Sequence, residues 1–224
     1  MSHNKVSVWL PRVLFESMLI VVSILLALAL DEWRDNRENE EMVDRAMATF
    51  LIEIAQNKAR VDDSAPFNNG LREVLTRRYE HGGIETIDEF VSMVESYSPG
   101  VLQSSAWDTA LATGALSKMN YDLVSALSLT YSLQNRYQQA VRNGIEELTS
   151  PQNLSTEKLD LAVFNSIRYL TEVTRMEAEL GVVYDEASSV IREARQQDRG
   201  VTVLSGGEQL AAPPERAAAA QPDR

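Results

Sequence analysis

The chain has no cysteine and only two histidines, His3 and His81, and its 224 residues hold just ten glycines and seven prolines. Without cysteine it forms no disulfide, has no thiolate nucleophile and builds no Cys-type zinc site, and it is compatible with either side of a membrane. The shortage of histidine is as restrictive. A di-metal carboxylate bundle wants Glu-x-x-His on facing helices. Arg78 stands three before His81, and no residue stands three before His3. His81 lies in the Gly-rich turn His81-Gly82-Gly83 and reads as a helix-end residue, not as a member of a Ser-His-Asp set. No glycine-rich loop cradles a phosphate. Positive charge is also short: 21 Lys and Arg against 33 Asp and Glu leave a net charge of −12, which repels a nucleic-acid backbone. So many acids supply carboxylate pairs everywhere, and nothing selects one for acid–base work. No catalytic, cofactor-binding or metal residue is therefore expected, and the chain reads as a non-enzyme.

Strand patterning is scarce too. Its best instance is Val201-Thr202-Val203-Leu204, inside a polar tail. Sparse Gly and Pro favour long helices, and no repeat of 20–50 residues is visible. The expected fold is all-α: an N-terminal transmembrane helix continuing into an antiparallel helical bundle with coiled-coil-like long helices.

What is present begins with Val13–Leu30, an aliphatic run that leads without a break into Asp31-Glu32-Trp33-Arg34. A helix rises about 1.5 Å per residue and the hydrocarbon core is about 30 Å thick, whereas Ser17 to Leu30 spans only about 21 Å. A crossing helix therefore starts near Leu10, behind a short lead of residues 1–12. Glu16 then lies more than a turn inside, on the face of Arg12, with which it can pair near the interface. Glu16, Ser23 and Ala27 share one side, and Ser23 and Ala27 form a small-xxx-small pair that lets two backbones approach in lipid. These three are the candidate helix–helix contact in the membrane. Trp9 and Trp33 flank the span, where indoles favour the interface. A rival reading is a cleaved signal peptide, with Lys5 and Arg12 as its basic region and Ala27-Leu28-Ala29 as its cleavage site, giving a secreted helical protein. No helix breaker precedes that site, and the helical pattern runs through it. Lys5 and Arg12 before the span against Arg34, Arg37 and Arg45 after it leave orientation open by count; the N-terminus is taken as inside and the domain as outside.

Residues 31–197 form the expected bundle domain. A polar stalk at 34–42 comes first, and the first helix runs to about Arg60. Asp62-Asp63-Ser64-Ala65-Pro66 reads as a break, because proline removes a donor and restricts the residue before it. A short helix over 69–80 follows, then a capping box at Thr86-Ile87-Asp88-Glu89 opening a helix to about Tyr97. Ser98-Pro99-Gly100 is a loop. Ser105-Ala106-Trp107-Asp108 starts a helix that Gly114 closes. Asn120 caps a long helix to about Leu148, with Leu123, Leu127, Tyr131, Gln134, Tyr137, Val141, Ile145 and Leu148 on one seam. After Ser150-Pro151, Ser155 or Thr156 caps a final helix to about Gln197. Leu170, Val173, Glu177, Leu180, Tyr184, Ala187, Ile191 and Ala194 keep heptad spacing in it. Glu177 interrupts that seam, and Gly181 is a place where it can bend. Residues 198–224, rich in Gly, Ala and Pro, read as a disordered tail. Trp107 and Asp108, followed by Gly114-Ala115-Leu116, are the most distinctive soluble stretch. Trp107 reads as a core anchor and Asp108 as a helix N-terminal charge; alternatively Trp107, Asp108 and Tyr131 line a ligand pocket.

Two stretches carry a resemblance. One runs from Glu16 to Leu30-Asp31-Glu32-Trp33-Arg34-Asp35-Asn36-Arg37 and on to Phe50-Leu51-Ile52-Glu53-Ile54-Ala55-Gln56-Asn57. The other is Trp107-Asp108-Thr109-Ala110-Leu111-Ala112-Thr113-Gly114-Ala115-Leu116, with Asp122-Leu123-Val124 and Tyr131 after it. Together they resemble a bacterial domain-of-unknown-function family of small single-pass membrane proteins. Its pattern is an aliphatic helix ending in Asn-x-Trp-Asn-Glu, a Leu-x-x-Glu-Leu-x-x-Asn helix and a later Thr/Ser-Gly-x-Leu turn. The resemblance covers residues 10–60 and 104–137. Here Asp31-Glu32 replaces the family's asparagines before Trp33, and the N-terminal basic cluster is thinner. The resemblance implies a bacterial inner-membrane protein with a helical domain and supplies no activity. The expected partners are the lipid bilayer and a second copy or another membrane protein, with no nucleic acid and no cofactor. The expected role is a scaffold or accessory subunit; the alternative is a ligand sensor signalling through the continuous transmembrane helix.

Overall fold

The computed structural model describes the backbone of residues 6–95, 97, 99–150 and 155–207, with side chains in that set except at 6–12, 147–149 and 198–207. The fold is all-α. Its helices are α1 (Val6–Glu80), α2 (Ile87–Val94), α3 (Ser105–Thr113), α4 (Tyr121–Thr149) and α5 (Leu159–Gly207), with 3-10 turns at Ala115–Lys118 and Thr156–Lys158. The chain divides into two compact units, Met1–Glu53 with Ser104–Asn120, and Ile54–Gln103 with Tyr121–Arg224.

In the first unit, α1 presents the aliphatic run bare. Leu14, Phe15, Met18, Ile20, Leu26 and Leu28 are each about 60% exposed. It is the one helix, among the described residues, long and apolar enough to be a candidate membrane span. The charged turns that follow are held by ion pairs within the helix, Arg34 to Asp31 (2.9 Å) and to Glu38 (3.7 Å), and Arg37 to Glu41 (3.9 Å). Exposed pairs of this kind add only a few tenths of a kcal/mol each. Burial starts at Met47 and Phe50, and α3 and the turn after it contribute the small residues Ala106, Ala110 and Ala115. Glu53 of α1, itself buried, accepts hydrogen bonds from the Ser105 hydroxyl and from the Ala106 N–H (2.9 Å). It supplies the open N-terminus of α3 with the acceptor that Ser104, the residue before the helix, does not provide to the backbone. Gly114 ends α3 in the left-handed region at φ 76°, where a Cβ is strained.

In the second unit, three helices carry buried positions at alternating spacings of four and three. On α1 these are Ile54, Asn57, Val61, Ser64, Asn68, Leu71 and Leu75; on α4, Leu123, Leu127, Thr130, Gln134, Tyr137, Val141 and Gly144. On α5 the same spacing runs from Leu159 through Val163, Ser166, Leu170, Val173, Glu177, Leu180, Tyr184 and Ala187 to Ile191. Contacts fix the directions. Gln134 meets Tyr184, Tyr137 meets Glu177 and Tyr169 meets the Val141 carbonyl, so α4 and α5 are antiparallel. Lys58 meets Asp185 and Asn68 meets Glu177, so α1 and α5 are antiparallel as well. Around Leu71, Leu75, Leu159, Val163 and Leu170, α2 adds Phe90 to a shared apolar cluster.

The expected break at 62–66 is absent: α1 runs through Pro66 to Glu80. Asp62 and Pro66 both face solvent, so the carbonyl that proline cannot serve is on the side open to water, while Val61, Ser64 and Asn68 stay in register on the buried side. An interior proline costs about 3 kcal/mol. Burying Leu71 and Leu75 beyond it stabilises by about 1.5–3 kcal/mol each, which outweighs the proline. The helix then stops in a Schellman closure: Gly82 takes φ +67° and the Gly83 N–H reaches the Arg78 carbonyl at 2.8 Å. The box at Thr86 forms half as expected. Thr86 Oγ1 accepts from the Glu89 N–H, but the Glu89 carboxylate turns to Arg78 and to the Glu85 N–H. The helix it opens ends at Val94 and does not reach Tyr97. On α4, Gly144 is buried in place of the expected Ile145, which is 39% exposed. α5 runs through Gly181 and past Gln197 to Gly207, so Val201–Leu204 is helical; 208–224, the rest of the expected tail, lies outside the described residues.

Candidate functional site

The residues singled out in the membrane run stand on α1 as follows. Glu16, Ser23 and Ala27 are all exposed, and the Ser23 hydroxyl donates back to the Leu19 carbonyl at 2.8 Å. On α3, Trp107 is half-buried, so the small Ala106 and Ala110 are the buried anchors of that helix, not the indole. Asp108 is exposed in the first turn of α3, and the Ser104 hydroxyl reaches it at 3.4 Å. Tyr131 is buried on α4 in the other unit, and the three residues do not belong to one compact unit.

The chemistry instead gathers on the buried seams of the second unit, in two polar layers. In the first, the Asn57 amide pairs with the backbone of Gln103 as a strand edge does. Its Nδ2 donates to the Gln103 carbonyl (2.7 Å) and its Oδ1 accepts from the Gln103 N–H (2.9 Å). Gln134 Nε2 donates to the same carbonyl (2.8 Å). Gln134 Oε1 accepts from Asn57 Nδ2 (3.1 Å) and from the Tyr184 hydroxyl (2.8 Å). Beside it, Gln138 donates to the Leu102 carbonyl at 2.6 Å. The irregular stretch 99–103 is thereby tied to α1 and α4 by side chains, which supply the hydrogen bonds that a stretch without a backbone ladder lacks. Gly100 fits against α1 closely enough that a Cβ there meets the Arg60 carbonyl oxygen at 3.1 Å.

The second layer is centred on Glu177, 1% exposed. Its Oε1 accepts from Asn68 Nδ2 (2.7 Å), the Tyr137 hydroxyl (3.1 Å) and the Ser64 hydroxyl (3.2 Å). Its Oε2 and the Oδ1 of Asn68 are buried without a hydrogen-bond partner among the described residues. Burial pushes the carboxyl above the usual carboxylate range, and the donors from Asn68, Tyr137 and Ser64 draw it back only in part. Burial, followed by the charge and hydrogen bond of Glu177, pushes the Tyr137 hydroxyl up.

A third group lies toward the α2 end. The Tyr97 and Tyr169 hydroxyls are 2.8 Å apart with their rings edge to face, and Tyr169 donates on to the Val141 carbonyl at 3.3 Å. Burial pushes Tyr169 up to about 12, with Tyr97 drawing it down, and burial raises Tyr97 further. Tyr169 lies directly over Gly144: a Cβ at 144 falls 1.9 Å from its Cε2.

Gln134 and Glu177 stand on the apolar seams as polar residues at heptad positions, and that mismatch is the signal the sequence offers for them. Ser64 and Asn68 give the same signal, hidden by the break expected at Pro66, and Asn57 gives it near the end of the first expected helix. Glu53 gives none, because its partner is a helix end that folding brings to it. Among the described residues, no group of three His, Cys, Asp or Glu side chains gathers as metal ligands. The layers offer hydrogen-bonding specificity and one buried carboxyl. Comparison of the chain with family models, with characterised proteins and with solved structures returns no match.

Proposed function

We propose that the chain is a single-pass membrane protein that presents its helical bundle for protein–protein interaction, as a scaffold or accessory subunit. The observation that carries this is the bare aliphatic run on α1. The large apolar side chains from Leu14 to Leu30 are at least half exposed, on the same unbroken helix that continues through Ile54. Leaving that much apolar surface in water is costly at about 25 cal/mol per Å², and a bilayer removes the cost. The family resemblance of residues 10–60 and 104–137 supports a bacterial inner membrane, with the bundle outside the cytoplasm. Self-association through the Glu16, Ser23 and Ala27 face is part of the proposal, since small residues let helices approach in lipid. A reporter active only outside the cytoplasm, fused after Gln197, is expected to be active; activity only of a cytoplasmic reporter overturns the orientation. The mass of the mature N-terminus tests the anchor, and a start at Leu30 removes it. Disulfide cross-linking of Ser23→Cys in membranes is expected to give a dimer, and a monomer alone overturns the self-association.

A ligand sensor is the second reading, favoured by one observation: α1 carries both the bare aliphatic run and three members of the buried polar layers, Asn57, Ser64 and Asn68. In this reading a change in those layers is passed along that one helix. Cross-linking at Ser23→Cys that responds to substitution of Asn68 is the outcome expected of a sensor and not of a passive scaffold.

A further inference from the structure

Glu177 stands in the middle of α5 with its carboxyl enclosed by α1 and α4, and its two oxygens are treated unequally. Three donors converge on Oε1, while Oε2 has none. The amide of Asn68, which already gives its N–H to Oε1, keeps its own oxygen unpartnered, and both residues are at most 1% exposed. Two buried acceptors, on two side chains already joined by one hydrogen bond, each lack a donor. A proton supplies it. A protonated carboxyl has one O–H and keeps acceptor capacity on the other oxygen, so one proton satisfies both atoms and closes a two-point ring between acid and amide. We propose that Glu177 is held as the neutral acid, with the proton on Oε2 donated to Oδ1 of Asn68, making the bundle core a proton-binding site.

The surroundings agree. Among the described residues no lysine, arginine or histidine acts on Glu177; its hydrogen-bond donors are Asn68, Tyr137 and Ser64, and desolvation dominates. α1 faces it with Ser64 and Asn68, neither of them ionisable. α4 faces it with Tyr137, α5 adds Tyr169 and the segment after α2 adds Tyr97; all three are tyrosines pushed up and neutral through the physiological range. Lys58 and Arg60 of α1 are engaged elsewhere, Lys58 with Asp62 and Asp185, and Arg60 with Asn57. A buried carboxylate with no cation opposite it is costly, and neutralisation is the usual escape.

The sign of the linkage follows. The folded value lies above the unfolded one, so the stabilising contribution is complete below the unfolded carboxylate value. It is lost as pH rises through the folded value. One proton changes the unfolding equilibrium up to tenfold per pH unit across that window. Glu177→Gln puts a permanent donor where the proton sits and keeps the acceptor at Oε1. In denaturant titrations of the full chain in detergent micelles from about pH 4.5 to 8, the wild type is expected to lose stability relative to Glu177→Gln by up to tenfold per unit. A wild type-to-variant ratio that is constant with pH, or that moves the other way, overturns the proposal. So does a Gln variant that does not fold. Infrared spectra give an independent reading on the wild type: a protonated-carboxyl carbonyl band at about pH 5.5, where ordinary glutamates are ionised, is expected and is expected to be missing from the Gln variant. A spectrum without that band means an ionised Glu177 served by water or a cation, and overturns the assignment.

Discussion

The two polar layers of the bundle use the same kinds of side chain on the same three helices and end in opposite states. The layer of Asn57, Gln134 and Tyr184 is closed: the Asn57 amide and Gln134 Oε1 find their partners in one another, in Tyr184 and in the Gln103 backbone. The layer of Ser64, Asn68, Tyr137 and Glu177 is open at two acceptor atoms. The difference comes from the loop. Residues 99–103 bring a backbone N–H and a carbonyl to the first layer, matching an amide that is both donor and acceptor. A carboxylate only accepts, so it can share in such an exchange only by taking up a proton. Buried polar groups are therefore neutral in their effect when complementary and conditional when they are not.

Five substitutions break or sharpen this contrast. The largest effect is expected from Asn57→Ala, which strands the Gln103 N–H inside the closed layer and weakens the partners of Gln134. A loss of up to about 4 kcal/mol follows, about one to three for the orphaned N–H and about one for the lost bond to Gln134, and chemical denaturation of the full chain in micelles measures it. Gly144→Ala comes next and acts on the tyrosine pair beyond the open layer. Its methyl needs the place of the Tyr169 ring, so a loss of about 3 kcal/mol is expected from overpacking. The near-ultraviolet dichroism of the Tyr97–Tyr169 pair is expected to weaken with it. Tyr184→Phe and Tyr137→Phe then compare the layers directly, at about 1 kcal/mol each for one hydrogen bond. The Tyr137→Phe loss is expected to grow with pH, because its hydroxyl serves an oxygen that gains charge as Glu177 ionises. The Tyr184→Phe loss is expected to stay flat. Lys58→Ala is the smallest. Lys58 is next to Asn57 in the chain, yet its pairs with Asp185 (3.2 Å) and Asp62 (3.6 Å) face solvent, and under about 0.5 kcal/mol is expected. A large effect at Lys58 with a small one at Asn57 reverses the reading that the buried layer, and not the surface pairs, holds α1 in the bundle.

Much of this architecture is legible in one dimension. Heptad spacing on the last helix anticipates its buried seam from Leu170 to Ile191. Thr86, Gly82 and Gly114 punctuate the chain through local backbone requirements that need no tertiary partner. Pro66 misleads because propensity is judged locally. Its penalty is real, but the register of Val61, Ser64, Asn68 and Leu71 is held from outside the segment. Ile145 misleads in a related way, since a spacing of four from Val141 fits a helix face as well as the spacing of three that puts Gly144 beneath Tyr169.

By itself the sequence determined the helical class, the aliphatic run at 13–30, the acidic surface and the absence of thiol chemistry, because these depend on composition and on contacts within a few residues. Only the tertiary structure decided that Asn57 grips the Gln103 backbone, that Glu53 serves the start of α3, and that Glu177 receives three donors on one oxygen and none on the other. Those pairings join residues far apart in the chain. A polar residue on an apolar seam announces that it needs partners, but whether they come as donors, acceptors or a proton depends on which helices pack around it.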